Sequence, residues 1–282
     1  MKKPSPGTEA RPHAVDERLA RRRFERAAPT YARAARLEAE VGARMLERLA
    51  YLKIAPRRIL EAGSGPAQHG AGLAARYPRA EVLALDFSAA MLARGRKRFF
   101  DKRRFVAGEL SRLPLASGSI DFVWSNLAIH WTDPEKVFAE FRRVLAPGGL
   151  LMFSTLGPDT LKELRAAAGE ERVHRFADMH DLGDMLVAAG FAAPVMDMEI
   201  LTLTYRRAEQ LLEDLRASGQ TNARRDRPRG LAGKGLLKRI VSAMPPRATF
   251  EVVYGHAWKG APRKLDDGRD VVQFSSGSRR HS

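Results

Sequence analysis

Two glycines and two acids carry the first chemistry readable in this chain. Arg57-Arg58-Ile59-Leu60-Glu61-Ala62-Gly63-Ser64-Gly65-Pro66 reads as a short apolar strand running into a glycine turn, with a helix beginning near Ala67. Glycine at 63 and 65 permits a sharp turn and lets backbone N–H groups approach a ligand with no Cβ in the way. Glu61 stands at the mouth of the strand as a hydrogen-bond acceptor. A second apolar run from Ala80 ends in Asp86, about 20 residues further on, the place for a carboxylate that holds ribose hydroxyls. Two acids flanking one glycine turn point to a bound nucleoside. A dinucleotide fingerprint needs a third glycine three residues after the second, and Gln68 stands there, so NAD and FAD are disfavoured.

Other candidates follow from position. Glu109 opens a loop after the third apolar run, Arg103 to Ala107, and Asn126, His130 and Trp131 close the fourth, Ile120 to about Ala128. Ligands of open α/β sheets bind beyond the carboxyl ends of the strands, so these residues lie where a reacting group would sit. His130 either orients a carboxylate or carbonyl or shapes the pocket. Arg165 either holds a carboxylate through two parallel hydrogen bonds or solubilises a helix surface. Tyr31 is either a packing residue with a wet hydroxyl or part of the site.

The elements that must position them alternate. Asp16 to Ala27 reads as a basic helix, and Leu37, Val41, Met45, Leu49 and Leu52 form an apolar stripe on a second. Ser88 opens a helix after the second strand. Asp133-Pro134 opens another, expected to run to Pro147-Gly148-Gly149, before a fifth strand from Leu150 to Thr155. Asp178 caps a further helix closed by Gly190, and Pro194 to Tyr205 is a long strand. Helices at Ala208 to Ala217 and Lys234 to Ala243 flank a basic loop from Ser218 to Gly233, and Thr249 to Trp258 is the last long strand. Val271 to Phe274 is a candidate short edge strand.

Strand, loop acid and following strand recur in the order found in class I S-adenosylmethionine-dependent methyltransferases. Glu61-Ala62-Gly63-Ser64-Gly65 resembles their first motif, Asp86 their ribose acid, and Glu109 with Leu113-Pro114-Leu115 their adenine-binding loop. Asp121 to Asn126 resembles the fourth strand. Within that class, Phe24-x-x-Ala27-Ala28-x-x-Tyr31, the run Leu156 to Arg165 and Tyr254-Gly255-His256-Ala257-Trp258-Lys259 resemble the malonyl-acyl carrier protein O-methyltransferases of biotin synthesis, the BioC family.

That resemblance implies an α/β fold: a Rossmann-like, mostly parallel sheet with an antiparallel last strand, N-terminal helices and a helical insert at about 206–245 between strands six and seven. It implies S-adenosyl-L-methionine as cofactor, held by Glu61, Gly63, Gly65, Asp86, Glu109 and Asn126. Tyr31, His130 and Arg165 become the catalytic candidates, and a malonyl group on acidic acyl carrier protein the methyl acceptor. Mitochondrial complex I assembly factors, among them a protein-arginine hydroxylase, resemble the same family and form the alternative. An RNA methyltransferase fits the charge, but no RNA-binding module is visible.

Composition sets the outer limits. With no cysteine among 282 residues, disulfides, thiolate nucleophiles and cysteine-ligated metals are excluded. Seven histidines show no metal-ligand spacing, so no metal is expected. A net charge of +16, from 49 Lys and Arg against 33 Asp and Glu, favours acidic partners. The basic residues Arg206, Arg207, Arg224, Arg225, Arg227, Arg229, Lys234, Lys238 and Arg239 concentrate this charge on the insert. No apolar run approaches a membrane span, and a soluble cytoplasmic protein is expected. Residues 1–15 are expected to be disordered, 16–259 to form one domain, and 260–282 a tail.

Overall fold

The computed structural model describes residues 15–96, 103–230, 233–260, 263–264 and 270–271. The described residues begin with α1 (Glu17–Ala27), the short α2 (Tyr31–Ala34) and α3 (Arg36–Arg48). It then alternates: β1 (Arg58–Ala62), α4 (Gly70–Arg76), β2 (Glu81–Asp86), α5 (Ala89–Gly95), β3 (Arg104–Ala107), β4 (Ile120–Ser125), α6 (Pro134–Val144) and β5 (Leu145–Leu156). After α7 (Lys162–Ala168) and α8 (Met179–Ala188) come β6 (Ala192–Thr204), α9 (Glu209–Ala217), α10 (Lys234–Ala243) and β7 (Arg247–Trp258). The expected insert is therefore α9, α10 and the loop between them.

The seven strands form one sheet in the order β3-β2-β1-β4-β5-β7-β6. Pairing is parallel from β3 through β5, and β7 runs antiparallel to both of its neighbours. β4, central and covered on both faces, carries fully buried Phe122 and Trp124. On one face Trp124 packs with Met45 and Leu49 of the α3 region, and on the other Val123 joins Phe138, Phe141 and Phe153. A smaller cluster of Val15, Phe24, Met91 and Trp131 seats α1 over the end of the sheet. Four helix beginnings that the sequence marked have a side-chain cap: Asp16, Ser88, Asp133 and Asp178 accept backbone N–H groups at 2.8–3.3 Å.

Several boundaries differ from the expectations, each for a local reason. The helix after the glycine turn begins at Gly70 rather than Ala67, because Ala67 is left-handed (φ 55°) and the chain must still bring the His69 N–H to Glu61. β4 ends at Ser125, since left-handed Leu127 (φ 48°) turns its N–H onto Ser154. The helix α6 stops at Val144, and Leu145 already pairs with Ile120, so Pro147-Gly148-Gly149 belongs to the start of β5.

Val15, the last residue of the segment expected to lack structure, is buried and forms a bridge with Arg224; the remainder of that segment lies outside the described residues. Val271 lies in β9 (Asp270–Val271), a two-residue strand paired with β8 (Arg263–Lys264), within the stretch expected to be a tail. Phe274 lies outside the described residues. Among the described residues no helix is long and apolar enough to cross a membrane.

Candidate active site

Strand order reverses direction between β1 and β4, and the cleft opens at the carboxyl ends of the strands beside this switch point. Gly63 and Gly65 follow β1, Asp86 ends β2, Glu109 follows β3 and Asn126 follows β4. All five line the cleft, and Tyr31 closes it from the N-terminal helices. Local motifs far apart in sequence thus meet as expected, with β1 between the ribose-type acid and Asn126.

The glycines do not act through their N–H groups. Gly63 N–H goes to the Leu85 carbonyl (2.8 Å) and Gly65 N–H to Asp86 Oδ2 (2.8 Å). What they supply is space: a Cβ on Gly63 would lie 2.3 Å from the Ala128 Cβ, and one on Gly65 would touch the Tyr31 ring at 3.6 Å. Both also have positive φ, 70° and 55°. Asp86 accepts one backbone N–H on each oxygen, from Gly65 and Ser88, which fixes the carboxylate and leaves each oxygen a further lone pair. Burial raises its pKa to about 6 against those bonds.

Glu38 is the site residue that the sequence reading missed. It lines the cleft from α3 at 5% exposure, and burial raises its pKa to about 7. Burial and the facing Glu38 and Asp86 carboxylates push the Tyr31 hydroxyl well above its ordinary pKa. The signal was present: Glu38 lies three residues before Val41, on the apolar side of its helix, where an acid is costly without a purpose. Among the described residues the cleft is lined by four acids, Glu17, Glu38, Asp86 and Glu109, and by no lysine, arginine or histidine. In a chain of charge +16, this is a local inversion.

Asn126 is held rigidly. Its amide nitrogen donates to the Glu38 carbonyl (2.9 Å) and meets His69 Nε2 (3.0 Å), while its oxygen accepts from Ser154 (2.8 Å). The amide donor makes Nε2 of His69 an acceptor, and burial lowers this imidazole's pKa to about 4. Glu61 does not line the cleft. It lies beneath the turn, accepting the His69 N–H at 3.2 Å, and burial raises its pKa to about 8 against the opposing pull of the His69 and Gly70 N–H groups and the Arg103 guanidinium. Its place explains why the helix start is delayed.

Two catalytic candidates are placed elsewhere. His130 borders a separate small cavity with Val15 and Thr155, its Nδ1 3.2 Å from the Thr155 hydroxyl, and burial together with His174 keeps it neutral. Arg165 donates to the carbonyls of Pro158 (2.7 Å) and Thr160 (3.2 Å), and its Nε lies 3.1 Å from the Glu170 carboxylate without hydrogen-bond alignment. The guanidinium is consumed within its own segment. Trp131, by contrast, lines the cleft and is shared with a second cavity of about 280 Å³ formed by α7, α9 and α10.

The insert's positive charge is also partly internal. Arg224, 5% exposed, forms a bidentate pair with Asp226 and donates to the Glu170 carbonyl, and Arg225 donates to the Val15 carbonyl. Arg224 ties the loop to the segment after α7, and Arg225, itself exposed, ties it to the stretch before α1. Arg206, Arg207, Arg229, Lys238 and Arg239 remain exposed. No group of three or more metal-ligating side chains occurs among the described residues.

The sheet order and the cleft at its switch point define a class I methyltransferase, and a family model described as a methyltransferase domain matches residues 60–153. Solved structures share the fold: the YcgJ protein from Bacillus subtilis (TM-score 0.59, 17% identity, 79% of this chain and 99% of that one) and a SAM-dependent methyltransferase from Thermotoga maritima (TM-score 0.54, 20% identity, 85% and 99%). Malonyl-[acyl-carrier protein] O-methyltransferases are much closer in sequence: that of Methylovorus sp. strain MP688 is 48% identical (93% of this chain, 96% of that one) and that of Laribacter hongkongensis 49% (92% and 96%). The chain belongs to the malonyl-[acyl-carrier protein] O-methyltransferase family.

Proposed function

We propose that this protein transfers a methyl group from S-adenosylmethionine to the free carboxylate of a malonyl thioester on acyl carrier protein, an early step of biotin synthesis. The observation that carries the reading is a cleft lined by acids and, among the described residues, by no basic side chain, in a strongly basic chain of this family. The cofactor bears a sulfonium and an ammonium against one carboxylate and no phosphate, a net positive charge, so this donor set fits it. A phosphate-bearing dinucleotide would meet like charge on several sides.

When bound, the cofactor supplies a methyl group activated by the positive charge of its sulfonium. Asp86 would hold the ribose hydroxyls with its free lone pairs, Glu109 would take the adenine end, and Gly63 and Gly65 would give the close approach. Asn126 acts by fixing α3, and hence Glu38, against the β4 end. Tyr31, over Gly65, shields the reacting centre. The malonyl carboxylate is ionised at neutral pH, since such groups titrate near pKa ~4, so no strong base is required. Aiming it and excluding water contributes roughly 7–11 kcal/mol. The exposed cations of the insert favour encounter with an acidic carrier.

The test offers labelled S-adenosylmethionine with malonyl-acyl carrier protein, malonyl-coenzyme A or free malonate, and identifies products by mass. Methyl ester formed preferentially on the carrier protein is the expected result. No transfer to any of the three, with cofactor bound, would replace this reading by the hydroxylase or assembly-factor alternative.

A further inference from the structure

The second cavity has the opposite character to the cofactor cleft. Its walls are apolar, with Leu164 from α7, Leu212 and Leu215 from α9, and Leu236 and Ile240 from α10. Its charged and titratable lining groups are Arg172, His174 and Arg216, and no acid borders it. The two spaces touch: Trp131 and Gln220 line both. A cation-seeking cleft therefore adjoins an anion-tolerant, apolar channel across one shared wall.

The chemistry of an occupant follows. It must be largely apolar, reach the cofactor cleft with one end, and tolerate or require positive charge. Thr221 and Gln220 give the lining a short polar edge suited to amide groups, while the Asn222 amide beside them is engaged by the Glu171 carbonyl and the Arg224 N–H. Arg216 is exposed and has no acidic partner among the described residues, and Arg172 has only its neighbour Glu171 at 3.6 Å. Both guanidiniums remain available for an anion.

Resting on the function proposed above, we propose that this cavity is the channel for the pantetheine arm of the acyl thioester. The methylene and dimethyl portion of the arm lies among the leucines, and its amides meet the polar edge. Its phosphate is held by Arg216 and Arg172, and its acyl end passes Trp131 and Gln220 toward the cofactor. This places substrate recognition on the insert between β6 and β7, apart from cofactor recognition on β1 to β4.

The test compares three malonyl thioesters, on carrier protein, on coenzyme A and on pantetheine, which keeps the apolar arm and its amides but lacks the phosphate. S-adenosylhomocysteine affinity is measured by calorimetry in parallel. Arg216→Glu is expected to raise KM for the two phosphate-bearing thioesters about tenfold relative to the truncated one, the scale of one lost charge-assisted contact. Leu236→Trp, filling the channel from α10, is expected to raise KM for all three. Both variants should bind S-adenosylhomocysteine within about twofold of wild type, as correctly folded proteins whose cleft is intact. Equal KM changes for phosphate-bearing and truncated thioesters in Arg216→Glu, or no change in Leu236→Trp, would overturn the channel. A wild-type protein that binds S-adenosylhomocysteine but methylates none of the three would instead remove the function, and the channel with it.

Discussion

The imidazole of His69 occupies the space that a side chain at position 42 would fill: a Cβ on Gly42 would stand 2.0 Å from its Cε1. This contact lets α3 approach the turn after β1 closely enough for Asn126 to bond both the Glu38 carbonyl and His69. Cofactor cleft and helical cover are therefore coupled through one glycine. Gly42→Ala must displace a ring that is already held, at a cost of about 1–3 kcal/mol for overpacking. Thermal unfolding should show that loss, and calorimetry a weaker S-adenosylhomocysteine affinity, because Glu38 shifts with α3. An unchanged affinity would separate α3 from the site.

Glu38 is expected to take the cationic amino-acid end of the cofactor, since it lies beside Asn126, across β1 from Asp86. Glu38→Gln removes a charge-assisted contact of about 1.5–3 kcal/mol, roughly ten- to hundredfold in affinity. Methylthioadenosine has no amino-acid end, so its affinity should change far less. The group must be ionised to attract the cation, and its pKa is raised to about 7. Wild-type affinity for S-adenosylhomocysteine should accordingly fall as pH drops through 7, with Asp86, raised to about 6, adding a lower limb; Glu38→Gln should lose the upper limb. Equal losses for both ligands would make Glu38 a structural residue.

The cofactor half of the site was legible because each piece is local: a glycine turn after a strand, an acid at the next strand's end, a loop acid after the third. The sheet then brings those ends together without further specification. Glu38 was overlooked because the stripe on α3 was counted by its apolar members, although the acid sits on the same side. His130 stands out by residue type at a strand end and Arg165 by residue type in the run after the fifth strand, and type alone does not show that Thr155 and the carbonyls of Pro158 and Thr160 already engage them. Arg224 was counted as surface charge, but its pairing with Asp226, two residues on, follows from a loop turn that no helical or strand spacing reveals. The second cavity, built from three helices distant in sequence, had no local signature.

Glu61 gives a stability signature that runs opposite to the binding one. Its folded pKa, raised by burial to about 8, lies above the unfolded carboxylate range, so the unfolded chain releases this proton first. The stability of the cofactor-free protein should therefore fall as pH rises from about 5 to about 8, and Glu38 and Asp86 act in the same direction. Denaturant unfolding across this range should show a flatter dependence in Glu61→Gln, whatever its absolute stability. An equal slope in the variant would mean that Glu61 ionises in the folded protein as readily as in the unfolded chain.

Arg165 separates a structural from a catalytic guanidinium. It clamps the turn after β5 by donating to Pro158 and Thr160, and the same turn is held from β7 by Glu251, which accepts the Asp159 N–H at 2.7 Å. Leu161 follows in a left-handed conformation (φ 58°), so the segment needs such restraint. Arg165→Ala leaves the carbonyls of half-buried Pro158 and buried Thr160 without this donor and should destabilise the fold by about 1.5–3 kcal/mol, with Arg165→Lys intermediate because it retains charge but not the planar fork. Below the melting transition, kcat and KM for the malonyl thioester should stay near wild type. A guanidinium that gripped the malonyl carboxylate would behave in the reverse manner, with KM rising sharply, the melting temperature holding, and Arg165→Lys restoring part of the binding rather than part of the stability.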